Sequence, residues 1–189
     1  MIMADGVDFS RLLRLNSDNG AFSANIGVFG GMADISVFEN DKKEAPVVKM
    51  LLDFAAMYQL RSLLLKALEN EEMKPIDIGY WPWNKDLKMS EFRSNISIGR
   101  DINKCIYFDF TGVAHKEPIR MSLVANRTMR INNQELPKQY ATEIGANAII
   151  DVMSQVLGIG IAMTRRARGD FNASHAQTSK SDEDNNIPF

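Results

Sequence analysis

One cysteine, Cys105, and two histidines, His115 and His175, are all the chain holds of thiol and imidazole chemistry. A lone cysteine excludes an intramolecular disulfide framework. A structural zinc site would need several carboxylate ligands, which is unusual. The unpaired thiol fits a reducing cytoplasm. No run reaches the roughly 18 apolar residues that read as a membrane span. The longest apolar segment, residues 46–68, is broken by Lys49, Asp53, Gln59, Arg61, Ser62 and Lys66. The opening MIMADGVDFSRLLRLNSDNG lacks a basic stretch followed by an apolar one, so no secretory signal is expected. Gly158-Ile159-Gly160 lacks the third glycine of a dinucleotide fingerprint, and there is no Gly-Lys-Ser/Thr phosphate loop. His115 in a polar turn and His175 in a polar tail read as solvated, and Cys105 beside a strand as a small buried residue. Asp34, Asp53, Asp101, Asp109 and Asp151 show no spacing that singles out a metal-dependent nuclease. No enzymatic activity and no cofactor are expected.

What remains is a globular composition, 45% hydrophobic and 24% charged over 189 residues, enough for one core without covalent staples. The net charge of −2 hides an uneven distribution. Met1 to Gly79 carries 8 Lys+Arg against 12 Asp+Glu, Tyr80 to Arg168 carries 13 against 8, and Gly169 to Phe189 carries 1 against 4. A basic second half followed by an acidic tail hints at nucleic-acid contact.

Alternating apolar residues around Gly30-Gly31 predict a β-hairpin within residues 21–38. Pro46 suits the first turn of a helix running over 47–68, rich in Leu, Ala and Met. Its polar stripe is narrow, so it is expected to be covered on most sides and to support a homo-oligomer. Pro75 and Pro82 argue against a central strand in 73–90, which reads as a connector carrying both tryptophans. Ile96/Ile98, Ile106/Phe108/Phe110 and Ile119/Met121/Leu123 have the period of half-buried strands, and 128–131 is a further short run. A second helix follows Pro137, with Ile144, Ala148, Val152 and Val156 four apart, Ile149 and Met153 beside them, and Glu143, Asn147 and Asp151 on the polar face. Gly158 and Gly160 interrupt or end it, and Met163 to Arg168 is basic. From Gly169 the composition turns polar, predicting disorder. The expected organisation is an α+β domain over 1–168, strands-helix-strands-helix with antiparallel sheets, and a tail over 169–189.

The chain ends Ser181-Asp182-Glu183-Asp184-Asn185-Asn186-Ile187-Pro188-Phe189. An acidic cluster ahead of Ile-Pro-Phe resembles the tip of bacterial single-stranded DNA-binding proteins, which docks onto replication and repair partners. The resemblance covers about nine residues, and Asn185 and Asn186 interrupt the family's more continuous acidic run. It implies that Phe189 fills an apolar pocket, that its carboxylate meets a basic residue, and that Asp182, Glu183 and Asp184 steer the tip, with Ile187 and Pro188 completing it. The body departs from that family's oligonucleotide-binding barrel, which has at most one helix. The element order is more similar to the Whirly-type single-strand binders, whose sheets bind the strand while helices pack behind. A barrel with added helices is the alternative, and a phage or plasmid replication protein is one origin for such a combination.

Single-strand binding requires basic groups interleaved with exposed aromatics. The second half supplies Trp81, Trp83, Arg93, Arg100, Lys104, Tyr107, Arg120, Arg127 and Arg130 as candidates, among Tyr80, Lys85, Lys88 and Phe92. Tyr107 and Arg120 both point away from apolar strand rows, and Trp81-Pro82-Trp83 is a stiff aromatic loop. Tryptophans also serve as core or interface residues. Arg165, Arg166 and Arg168 would bind phosphate or hold the acidic tip. The expected function is sequence-independent single-stranded DNA binding in replication and recombination, with a partner-recruiting tip and a cytoplasmic location. The alternative is an adaptor that binds no DNA and uses the tip to engage or compete for host replisome proteins.

Overall fold

Period-two alternation builds two four-stranded antiparallel sheets, each followed by a helix. A computed structural model describes residues 12–29, 32–42, 45–124, 130–131, 134–155 and 157–158. The first sheet is a meander of β1 (Leu13–Asn16), β2 (Phe22–Phe29), β3 (Met32–Glu39) and β4 (Val48–Leu52). Its inner face stacks Leu15, Ala24, Val37 and Val48 in one row and Leu13, Ile26, Ile35 and Met50 in the next. Helix α1 (Phe54–Glu69) follows.

The second sheet runs β5 (Ile76–Tyr80), β8 (Ser94–Arg100), β9 (Ile106–Gly112) and β10 (Ile119–Ser122). Between β5 and β8 rises a small hairpin of β6 (Trp83–Asn84) and β7 (Met89–Ser90). The inner rows are Ile76, Ile98, Phe108 and Met121, then Ile78, Ile96, Phe110 and Ile119. A short pair, β11 (Arg130–Ile131) with β12 (Gln134–Glu135), precedes α2, helical over 138–155 and again at 157–158.

Both inner faces merge with one side of each helix into a single core. Helix α1 lies against β4 and β8, and the sheets approach at both edges, β1 to β10 and β4 to β5. Polar side chains stitch the two sheets together. The Ser94 hydroxyl donates to the Lys49 carbonyl at 2.9 Å. In the β1–β2 turn the Asp18 carboxylate accepts from the Ser122 amide at 3.0 Å and from its hydroxyl at 2.9 Å. The α+β class with antiparallel sheets and two helices is therefore as expected, and so is the β2–β3 pairing, although Gly30-Gly31 lies outside the described residues.

Several local expectations are corrected. The helix does not begin at Pro46. Val48, Met50 and Leu52 alternate with exposed Lys49, so this stretch is β4. Asp53 is the N-cap, its carboxylate accepting from the Ala56 amide at 2.8 Å. Its core face is Met57, Leu60, Leu64 and Ala67, and Leu63, Leu65 and Leu68 are half-buried within the chain itself. Much of the apolar surface that argued for an oligomer is thus covered internally. The supposed connector contains β5, confined to the sheet edge, with Pro75 just before it and Pro82 just after.

In α2 the buried positions are Thr142, Ala146, Ile149, Ile150, Met153 and Leu157. The Ile144/Ala148/Val152 row lies at the margin, with Ala148 exposed. Gly145 decides the rotation: a Cβ there would overlap the Leu123 carbonyl, so only glycine allows α2 this close to the chain after β10. His115 packs edge-on to Phe22 with ring centroids 5.3 Å apart. Cys105 is buried and its thiol is pushed up by loss of solvent, as expected of a packing residue.

Candidate nucleic-acid interface

The outer face of the second sheet follows from the same register. Its rows are Gly99, Tyr107 and Ser122, then Asp77, Ser97, Asp109 and Arg120, then Gly79, Asn95 and Thr111. Two glycines on this face make room for two aromatic rings. A Cβ at Gly79 would come within 2.7 Å of the Trp81 indole nitrogen, so the indole folds back over the strand that precedes it. A Cβ at Gly99 would lie 3.0 Å from the Tyr107 hydroxyl and 3.1 Å from the Pro75 backbone, so Tyr107 lies across β8.

The two rings differ in availability. Trp81 is 58% exposed and meets Phe92 edge-on, centroids 5.3 Å apart. Tyr107 is only 4% exposed. The Arg120 guanidinium sits 3.7 Å from the centre of its ring, a cation–π contact. Asp109, across the strand pair, accepts twice from Arg120, at 2.9 Å and 2.6 Å. Burial pushes the Tyr107 phenol up, while the Asp109 carboxylate holds the Arg120 guanidinium firmly in its charged form. Tyr107 is therefore capped rather than open, which corrects its expected role as an exposed platform. Arg120 is a half-neutralised cation.

Arg100 is corrected more sharply. Its side chain is 1% exposed and pairs with Glu143 at 3.0 Å. It also donates to the carbonyls of Ala67 at 2.7 Å, Leu68 and Lys104. It ties the C-terminal turn of α1 to α2 and cannot reach a phosphate in this arrangement. Lys104, at φ 62° in the β8–β9 turn, is exposed but bonded to Glu71. That contact lowers the Glu71 carboxyl and raises the Lys104 ammonium. Arg130 begins β11, paired in register with Glu135. Arg127, Arg165, Arg166, Arg168 and the segment 169–189 with its Asp182, Glu183, Asp184, Ile187, Pro188 and Phe189 lie outside the described residues.

Other open groups lie on the hairpin that follows Trp81 and around Phe92. Trp83 is 63% exposed on the β6–β7 hairpin. That hairpin is pinned by the Asn84 side chain, which donates to Glu91 at 3.0 Å and accepts from the amides of Asp86 and Leu87. Arg93, Lys85, Lys88 and Lys116 are exposed nearby in sequence or across the ladder, among Asp86, Glu91 and Glu117. Phe92, Thr111, Gly112, Val113 and Lys116 line an open cleft of about 300 Å³. Of these, Lys116 and Thr111 escaped the sequence reading. Thr111 could have been found by carrying the strand alternation one step past Phe110, whereas Lys116 reaches the cleft only because the Gly112–His115 turn folds back.

Among the described residues no group of three or more His, Cys, Asp or Glu could hold a metal ion. Asp34, Asp53, Asp101 and Asp109 each have a local partner: Ser36 and Lys49, the α1 amides, the amides of the 101–105 turn, and Arg120. No helix among the described residues is long and apolar enough to cross a membrane. No protein-family model, curated protein or solved structure matches the chain.

Proposed function

We propose that the protein binds single-stranded DNA without sequence preference, in replication or recombination, through the Trp81 end of its second sheet. The observation that carries this reading is an exposed, pre-positioned aromatic group, Trp81 on Gly79 against Phe92, followed by exposed Trp83 in a stretch that also exposes Lys85, Lys88 and Arg93, with Lys116 sharing a cleft with Phe92. A base has a π-face whatever its identity, so aromatic stacking gives affinity without a sequence code, and the cations supply backbone attraction. A four-stranded antiparallel sheet followed later in the chain by a helix, twice over, supports a Whirly-type arrangement of the body. The acidic segment ending Ile187-Pro188-Phe189 supports recruitment of replication and repair proteins.

Fluorescence anisotropy of labelled oligo(dT) with the full chain tests the reading. Stacking is worth about 1–3 kcal/mol per base, so replacing Trp81 and Trp83 together by alanine should weaken binding by about tenfold or more. With about two to four phosphates contacted, log K should fall against log salt with a slope near −1.4 to −2.8. No retention of oligo(dT) at any salt would sink this reading and leave the adaptor role of the tip.

A further inference from the structure

An open cleft adjoins Phe92, the ring that Trp81 contacts. Phe92, Val113 and the Cα of Gly112 make it mainly apolar, and its volume of about 300 Å³ sits at the low end of small-ligand clefts. Phe92 is held in place by the edge of Trp81. The floor is fixed by backbone bonds. The Gly112 amide donates to the His115 carbonyl at 2.7 Å, the His115 amide donates back at 3.1 Å, and the Val113 amide donates to the Arg93 carbonyl at 3.1 Å. Those donors are consumed. What faces outward with hydrogen-bonding capacity left is the Thr111 hydroxyl, and with charge left, Lys116 at the rim.

We propose that this cleft seats a single nucleobase of the bound strand against Phe92, with an adjoining phosphate held by Lys116. The inference rests on the strand-binding reading and goes beyond it by assigning one base its own pocket. A strand crossing the exposed face of Trp81 meets the Phe92 cleft as the next apolar step on the same side of the sheet. Among the described residues the free polar group inside is the Thr111 hydroxyl, which both donates and accepts, so it satisfies the edge of any base and imposes no code. The positive charge at the rim complements the phosphate and has no ion pair among the described residues to compete with it.

The test fills the cleft and compares two strands of equal length, labelled oligo(dT) and an abasic deoxyribose-phosphate oligomer, on the full chain. Val113 is 58% exposed, so Val113→Trp adds bulk at the mouth without entering the core. The wild type should prefer oligo(dT) by at least tenfold. Val113→Trp should remove the part of that preference that the cleft supplies, a severalfold loss that leaves the contribution of Trp81 and Trp83, and an unchanged thermal unfolding midpoint reports an intact fold. Lys116→Glu should weaken both strands. Photo-crosslinking of an iodouracil-bearing strand to wild type should map to Phe92 as well as to Trp81, a readout independent of any variant; crosslinks to Trp81 without Phe92 count against the cleft. If Val113→Trp keeps the full preference, or crosslinks map elsewhere, the cleft assignment is overturned while strand binding stands. If wild type binds neither strand, the strand-binding reading fails and the cleft assignment with it.

Discussion

Arg100 and Glu143, 43 residues apart, meet at 3.0 Å where the two helices converge on the end of β8. The guanidinium is almost wholly buried, while the carboxylate keeps 25% of its side-chain surface in solvent. The partners are therefore not equivalent. Removing the acid strands a buried cation; removing the base strands a carboxylate that water can still reach. Glu143→Leu is expected to cost about 3–5 kcal/mol, and Glu143→Gln, which keeps an acceptor, about 1–2 kcal/mol. For a chain of this size each kcal/mol shifts Tm by about 2–4 °C. Chemical denaturation of both variants checks the order. A Glu143→Leu midpoint within error of wild type would show that the carbonyls of Ala67, Leu68 and Lys104 suffice to hold Arg100.

Gly145 offers a case where two physical rules oppose each other. Glycine inside a helix normally costs about 1 kcal/mol relative to alanine. On propensity alone Gly145→Ala should stabilise the protein. Here the added methyl would overlap the Leu123 carbonyl, which is backbone and cannot rotate away. Relieving the overlap would pull α2 off the sheet and stretch the bonds from the Ile106 amide to the Thr142 hydroxyl and from Arg100 to Glu143. The clash outweighs propensity, and Gly145→Ala should destabilise by about 3 kcal/mol or more. Gly158→Ala, where no atom of the described residues lies within 4 Å of an added Cβ, is the internal control and should be neutral or mildly stabilising.

Five of the eight strands in the two large sheets, β2, β3, β8, β9 and β10, can be read from the sequence, because a two-residue period is a local signal. Ile106, Phe108 and Phe110 fall on one face whatever surrounds them. Long-range facts were hidden. Nothing near Arg100 in the chain announces that Ala67, Leu68 and Glu143 will enclose it, so a buried clasp looked like a candidate phosphate ligand. Tyr107 was placed on the correct face, but its cover comes from Arg120 one strand over. The start of α1 was misread since Val48 to Leu52 is apolar enough for either element, and only the exposed Lys49 between Val48 and Met50 betrays the strand. Trp81 was visible as an aromatic, whereas the seat that orients it, Gly79, becomes meaningful only once β5 is known to be an edge strand.

Tyr107 carries a pH prediction. Burial holds its phenol above the ordinary tyrosine value, against the opposing pull of Arg120. A raised pKa means the folded state binds the proton more tightly than the unfolded chain. The associated stability is fully present below about pH 10, the unfolded value, and is lost as pH rises through the folded one. In an ultraviolet titration, the difference between wild type and Tyr107→Phe should place the ionisation of Tyr107 above the ordinary tyrosine value. Tyr107→Phe keeps the ring beneath Arg120, so it should change stability by less than about 1 kcal/mol at pH 7 and flatten the alkaline decline. An unchanged alkaline limb in Tyr107→Phe would assign the decline to other groups.

On the proposed single-strand-binding function, charge along the chain predicts the effect of the acidic segment on affinity. Residues 169–189 carry one Lys against four Asp and Glu, and without them the net charge moves from −2 to +1. A tethered acidic segment repels the strand and competes for the same cations, and both effects act over roughly a Debye length, about 10 Å at 0.1 M salt. Deleting the segment after Arg168 should tighten oligo(dT) binding severalfold at low salt, with the gain shrinking as salt rises. Length and charge can be separated by neutralising Asp182, Glu183 and Asp184 to the corresponding amides in the full chain. If charge is the cause, the neutralised chain approaches the truncation in affinity. If it binds as weakly as wild type while the truncation binds tightly, the segment obstructs the strand by its bulk and not by its charge.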